Sequence, residues 1–371
     1  MMQGKLQRLK GRFWAAFVLS FFVASCVVAT PDRTPHWAKR PAGIYLVDVA
    51  PSPDGKTIAF EYTDESLPLN GVGLRNHLGI GLLDWQTGKL TRIANPAGKQ
   101  LSSPSFSYDG KRLLVGVGPA NGLASLQIGE VNLTTMHLTL IGAKGPMGRM
   151  TPVYQPGTGN ILFIKGAPGL DNEIVLLDRK TQAEKVILED KNSFTYISTP
   201  WFIQQNEILF QAGGASYGVI HLGEELGRSK ISRVAKVTYR LVFGGMPEFY
   251  SLEVERRAPP VNDGAFGSLS VSANGRILAF TSAIPERMMD EKGIILRELF
   301  KMEAGQITQL TNYGRSIMLS GISYNGSVVA LVGDLATVRQ DDLFIYKMDT
   351  GELVATGLLE RIKKDSAFAL E

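Results

Sequence analysis

Short apolar runs broken by turn residues repeat along this chain. The stretch Ser52-Pro53-Asp54-Gly55-Lys56-Thr57-Ile58-Ala59-Phe60 returns as Ser107–Val115, Ser272–Phe280 and Ser323–Leu331. Two looser copies, Gln155–Phe163 and Gln204–Phe210, lie between them. Asp-Gly and Asn-Gly tolerate positive φ, so each copy predicts a tight hairpin between two strands. A second pattern follows most copies: Gly81-Leu82-Leu83-Asp84-Trp85-Gln86-Thr87-Gly88-Lys89-Leu90 is an apolar strand, an Asp or Gly turn and another strand. Ile174–Thr181, Leu296–Leu310 and Phe344–Leu353 repeat it. Each unit thus holds four short strands, and the units recur about every 50 residues, a period typical of propeller blades. Six units fill residues 44–358 and predict an all-β, six-bladed β-propeller with four-stranded antiparallel blades.

The Ser-x-Asp-Gly-Lys/Arg motif followed by Leu-Leu-Asp-x-x-Thr-Gly-Lys resembles the TolB-type propeller repeat of exported bacterial proteins, over nearly the whole chain after residue 43. The resemblance implies the fold. It leaves function open, because propellers of this repeat include binding scaffolds, peptidase accessory domains and lyases. About 18 residues separate Cys26 from the first predicted strand, too few for the separate N-terminal α/β domain of TolB.

The first 25 residues have a different pattern. Lys5, Arg8, Lys10 and Arg12 precede the apolar run Phe13–Phe22, and small residues Ala24 and Ser25 precede Cys26. This is the layout of a secretory signal peptide. Val23-Ala24-Ser25-Cys26 resembles the bacterial lipobox, which makes Cys26 a lipid attachment point and residues 26–43, with Pro31, Pro35 and Pro41, a tether. Val27 after that cysteine implies the outer membrane. Two other readings stay open: an uncleaved anchor running on through Ala29, or cleavage at Val27-Val28-Ala29 to release a soluble protein. All three export the body. Residues 359–371 are expected to form a C-terminal tail.

Composition narrows the function. One cysteine in 371 residues excludes a disulfide framework and a Cys-based zinc site. The formal charge of +4 comes from the leader: 39 basic residues less those four leave 35 against 35 acids. A neutral body has little counterion-release drive toward phosphates, so nucleic acid is not an expected partner. His36, His77, His137 and His221 are too scattered for a metal site, and no cofactor is implied. Gly214-Ala215-Ser216-Tyr217-Gly218 imitates a nucleophile elbow, but no acid-then-histidine order follows it. Gly55-Lys56-Thr57 imitates a P-loop tail inside a hairpin turn.

Strand parity puts the uniform first-to-second and third-to-fourth turns at one end of the propeller and the variable loops at the other. Variable loops on a rigid scaffold are where recognition concentrates. The longest excursion, Gly213–Lys236, is expected there between the second and third strands of the fourth unit. It carries the candidate partner-binding residues Tyr217, His221, Glu224, Glu225 and Arg228, and Ser216–Ser229 is expected to be removable without unfolding the protein. Acid pairs Asp64/Glu65, Glu224/Glu225, Asp290/Glu291 and Asp341/Asp342 read as solvated loop charge. Phe106, Tyr108, Tyr154, Trp201, Phe202 and Tyr324 read as packing between blades. The expected function is a non-catalytic scaffold of the cell envelope, periplasmic and lipid-anchored, binding an envelope protein, peptide or glycan. The alternative is a hydrolase or lyase acting on a cell-wall or glycan fragment at the funnel, marked by clustered, desolvated carboxylates.

Overall fold

The computed structural model describes residues 43–64, 78–120, 127–142, 147–166, 172–189, 197–212, 216–222, 239–240, 266–272, 275–283, 296–304, 306–333, 335 and 341–369. Cys26, Glu224, Glu225 and Arg228 lie outside the described residues, as do the expected signal peptide, residues 26–42 of the expected tether, His36 and His77.

From Gly43 onward the chain is one compact unit of antiparallel sheets, each built from four consecutive strands. Ile44–Pro51, Thr57–Asp64, Leu78–Asp84 and Lys89–Ile93 make the first sheet. Lys99–Phe106, Arg112–Pro119, Gln127–Asn132 and His137–Ile141 make the second, and Gly148–Tyr154, Ile161–Gly166, Glu173–Leu177 and Glu184–Glu189 the third. The fourth holds Ile197–Gln204, Glu207–Ala212, Ser216–His221 and the two-residue strand Tyr239–Arg240. Phe266–Val271, Ile277–Ala283, Arg297–Glu303 and Gln306–Gln309 form the fifth; Ile317–Ile322, Val328–Gly333, Asp342–Lys347 and Leu353–Ala355 form the sixth. First strands of successive sheets touch one another, and that of the sixth touches that of the first. This is a β-propeller of four-stranded antiparallel blades with the first strands innermost. Five sheets are regular. The fourth is not: among the described residues its outer strand is two residues long, so five regular blades are seen where the repeat leads one to expect six equivalent ones.

Turn chemistry explains why the repeat is visible in sequence. In the first sheet Ser52 Oγ donates to Asp54 Oδ1 at 2.7 Å and accepts the Thr57 N–H at 2.9 Å, while Gly55 sits at φ 75°. Ser107/Asp109/Arg112 and Ser323/Asn325/Val328 reproduce the same cycle. Where glutamine replaces serine, Gln155 Oε1 accepts from Thr158 Oγ1 and Asn160 Nδ2 instead, so the degenerate copy closes the turn by other atoms. Second strands are buried on both faces: Ile58, Ala59, Phe60, Leu113, Leu114, Val115, Ile161, Leu162 and Phe163 are all 0% exposed. That is why these segments read as continuous apolar runs.

The excursion expected between the second and third strands of the fourth sheet is placed differently. Ser216–His221 is itself the third strand, paired with Glu207–Ala212 over its whole length, from Ala212↔Ser216 to Glu207↔His221. Gly213-Gly214 reads as a broken period, yet the strands on either side of it pair with each other directly. Tyr217 and His221 therefore lie on a strand, and the chain leaves His221 at the end where the Asp-Gly turns sit, opposite to the expected face. Leu222 N–H bonds Asn206 O in the adjoining hairpin turn. Ser216 opens a strand and no helix follows it, which disposes of the nucleophile-elbow pattern.

The ring closes without strand exchange, since every sheet uses four consecutive strands. After the last strand, Gly357 at φ 62° turns the chain into the helix Leu358–Lys364 and a 3-10 turn at Ser366–Phe368. Leu358, Leu359, Ile362 and Phe368 are 0–2% exposed, in one core with Phe60 and Tyr62 of the first sheet and Ala330 and Leu343 of the sixth. Tyr62 Oη donates to Phe368 O at 3.1 Å, and Arg92 Nη1 donates to Ala367 O and Ala369 O. Asp342 Oδ1 accepts the Leu359 N–H, so this expected loop acid holds the helix in place. At the same seam a Cβ on Gly321 would lie 2.7 Å from Val49 O, so only glycine lets the two inner strands approach this closely.

Candidate functional site: the central cavity

Every innermost strand breaks register with its neighbour at least once, and that of the fourth sheet does so again between Phe202 and Gln204. The shifts fall between Leu46 and Asp48, Ser102 and Ser105, Met150 and Val153, Ser198 and Trp201, Phe266 and Leu269, and Ile317 and Leu319. A bulge re-aims the side chains beside it. Here the bulges start the lining of a cavity of about 340 Å3, whose wall comes from all six innermost strands. Ser103 at φ 51° and Thr151 at φ 47°, each followed by proline, are bulge residues in that wall.

Its lining combines aromatic side chains with hydroxyls. Phe106, Tyr108, Tyr154, Trp201, Phe202 and Tyr324 all line the cavity, so the aromatics expected only to pack between blades also face a shared space. Tyr108 and Tyr324, from the hairpin turns of the second and sixth sheets, stack with centroids 4.6 Å apart, and Tyr324 Oη donates to Phe106 O at 2.6 Å. Burial and the neighbouring tyrosine push the Tyr108 phenol far up, and burial raises Tyr324 to about 12, so both stay neutral. Ser103, Ser105, Ser268, Ser270 and Ser320 supply hydroxyls; Ser268 Oγ and Ser320 Oγ lie 2.8 Å apart across the fifth and sixth sheets, and Ser270 Oγ accepts the Ile322 N–H.

Asp48 is the one charged residue in the described wall, which contains no lysine, arginine or histidine. Glu61 stands directly opposite it in the first sheet's ladder. Side chains of such a pair project to the same face about 5 Å apart. Glu61 is 4% exposed, and its Oε2 accepts the Ser103 N–H at 2.5 Å, tying the second sheet's bulge to the first sheet. Burial, reinforced by the Asp48 charge, lifts the Glu61 carboxyl from 4.5 to about 8 against the opposing pull of the Ser103 N–H. Desolvation lifts Asp48 from 3.8 to about 6, against its hydrogen bond from the Val49 N–H. At neutral pH the pair therefore carries a proton.

Sequence reasoning missed both residues. Their signal was an acid inside each of two apolar strands, Leu46-Val47-Asp48-Val49 and Ala59-Phe60-Glu61-Tyr62, and nothing before ring closure showed that both sides of those strands are interior. The acids that were singled out go elsewhere: Asp64 ends a strand, Asp342 holds the C-terminal helix, and Glu65, Asp290 and Glu291 lie outside the described residues. His137 is exposed at a third-to-fourth turn, and among the described residues no three His, Cys, Asp or Glu side chains gather as a metal site would need. Gly55-Lys56-Thr57 is the hairpin turn, as expected.

No protein-family model matches the chain, and no curated protein matches it. Solved structures do resemble it in fold. An acylaminoacyl peptidase from Pyrococcus horikoshii aligns with 86% of this chain and 54% of its own, at 12% identity and a TM-score of 0.52. This chain thus spans about half of that protein. A putative TolB from Agrobacterium tumefaciens aligns over 75% of this chain and 87% of its own, at 15% identity and a TM-score of 0.49. An oligogalacturonate lyase in complex with manganese covers 85% and 77%, also at 15% identity and 0.49. At such identities the likeness speaks to the β-propeller fold alone.

Proposed function

We propose that this protein is an exported, non-catalytic recognition scaffold, a ring of six sheet units whose axial cavity and surrounding rim receive an envelope protein, a peptide or a glycan. The cavity carries this reading: its wall is drawn from six separate strands, it combines aromatic faces with hydroxyls, and a tyrosine stack lies at one end. Concave sites of this size and make-up are where small ligands or chain ends bind. The basic and apolar leader, the lipobox-like Val23–Cys26 and the proline-bearing tether support periplasmic residence with a lipid on Cys26, anchored in the outer membrane. Several acyl chains anchor durably, at ~0.8 kcal/mol per buried methylene. Tyr217 and His221, on the third strand of the fourth sheet, stay candidates for a partner contact together with Glu224, Glu225 and Arg228.

The test is capture from detergent-solubilised envelope by the anchored protein and by Ser270→Trp, which fills the cavity. A component retained by the first and lost by the second, at equal melting temperature, is expected. Equal retention would remove the cavity from the recognition site.

One observation favours a second reading, hydrolysis or lyase cleavage of a cell-wall or glycan fragment. Asp48 and Glu61 form a desolvated carboxyl pair whose members titrate on either side of neutrality, the arrangement that supplies one acid and one base. Turnover of such fragments that disappears in Glu61→Gln would establish it.

A further inference from the structure

We infer that the central cavity takes a primary ammonium group, seated against Asp48 and walled by Tyr108, Tyr154, Trp201 and Tyr324. This rests on the cavity being the recognition site. Asp48 is the one charged side chain in the described wall, and its cross-strand partner Glu61 adds a second acid immediately behind it. Neither has a basic side chain beside it among the described residues. Buried carboxylates without a cation are costly. A ligand that brings the missing positive charge removes that cost, and a neutral one does not.

The rest of the wall suits the same group. An ammonium has three N–H donors and no acceptor, and it is drawn to aromatic faces. Serine hydroxyls at 103, 105, 268, 270 and 320 offer acceptor oxygens, and four aromatic residues share the wall. Competing chemistries fit less well. An anion would meet no cationic donor in the described wall. A calcium ion wants six to eight oxygens, several of them carboxylate, and only one carboxylate reaches the wall. The volume of about 340 Å3 admits a small amine or the first residues of a polypeptide, and both present the same ammonium.

Calorimetric titration of the full chain at pH 7 with hexylamine, 1-hexanol, and a hexapeptide with a free or acetylated amino terminus tests this. Hexylamine or the free peptide is expected to bind at least about tenfold more tightly than its neutral counterpart, as for a charge-assisted contact. Asp48→Asn should erase that preference without lowering the melting temperature, because it also removes a desolvated charge. Stronger binding of the free peptide assigns the ammonium to a polypeptide end; stronger binding of hexylamine assigns it to a small amine. Equal affinity of charged and neutral probes, binding of none of them, or a preference that survives Asp48→Asn would each overturn the inference. The capture experiment with Ser270→Trp judges the cavity independently.

Discussion

Glu61 is the residue at which burial and charge conflict most. A carboxyl whose folded pKa is raised binds its proton more tightly folded than unfolded, so it costs nothing below its ordinary 4.5 and destabilises increasingly as pH rises toward about 8. Asp48 adds the same sign between 3.8 and about 6. Each pH unit in that window weighs up to about 1.4 kcal/mol per group. Chemical denaturation across pH 4.5–8.5 should therefore show stability falling, and Glu61→Gln should flatten the slope and raise stability most at the alkaline end; an unchanged slope would show that the cost lies elsewhere. Gly55 poses the opposite case, a residue with no freedom to change. Its φ of 75° disfavours any side chain, and a Cβ would meet Val328 Cγ2 at 2.7 Å. Gly55→Ala is expected to cost about 2–4 kcal/mol in denaturant titration, strain and overpacking together.

Strands were legible in the sequence wherever their turns were closed by local chemistry. Ser52, Asp54 and Gly55 complete their turn within six residues, so the repeat announces itself before any tertiary contact is known. The fourth sheet lacks those residues, and its third strand lay hidden in what reads as a loop. Its pairing makes a clear demand. Deleting Ser216–His221 would uncover Ile208 and Leu209, both fully buried, each at about 1.5–3 kcal/mol, and would strip the Glu207–Ala212 ladder of its outer partner. Thermal melts of that deletion should lose cooperativity or shift far downward; a melt like that of the intact chain would mean the strand is dispensable. The cavity was illegible for a different reason. Asp48, Phe106, Tyr154, Trp201 and Phe202 belong to innermost strands and Tyr108 and Tyr324 to hairpin turns, and only closure of the ring brings them to one axis.

At the scale of the whole molecule, the helix and 3-10 turn after the last strand decide whether the ring holds. Their four buried apolar side chains bridge the first and sixth sheets, and Phe368 stacks on Phe60 with centroids 6.1 Å apart. Phe368→Ala should cost about 3–5 kcal/mol, and ending the chain at Gly357 considerably more, by the size of the apolar surface exposed. Limited proteolysis would then cut first at the junction between Leu353–Ala355 and Ile44–Pro51; cutting spread evenly over all sheets would show that the seam is held without this segment.

The placement of that clasp also sets an order of assembly. Residues that follow every strand lock the first sheet to the sixth, so a chain emerging from its amino end can build sheet after sheet yet cannot seal the torus. Until Leu358–Phe368 arrives, Phe60, Tyr62 and Leu343 stay open to solvent or to a chaperone. Docking of this last segment is therefore the step that completes the core shared by the first and sixth sheets.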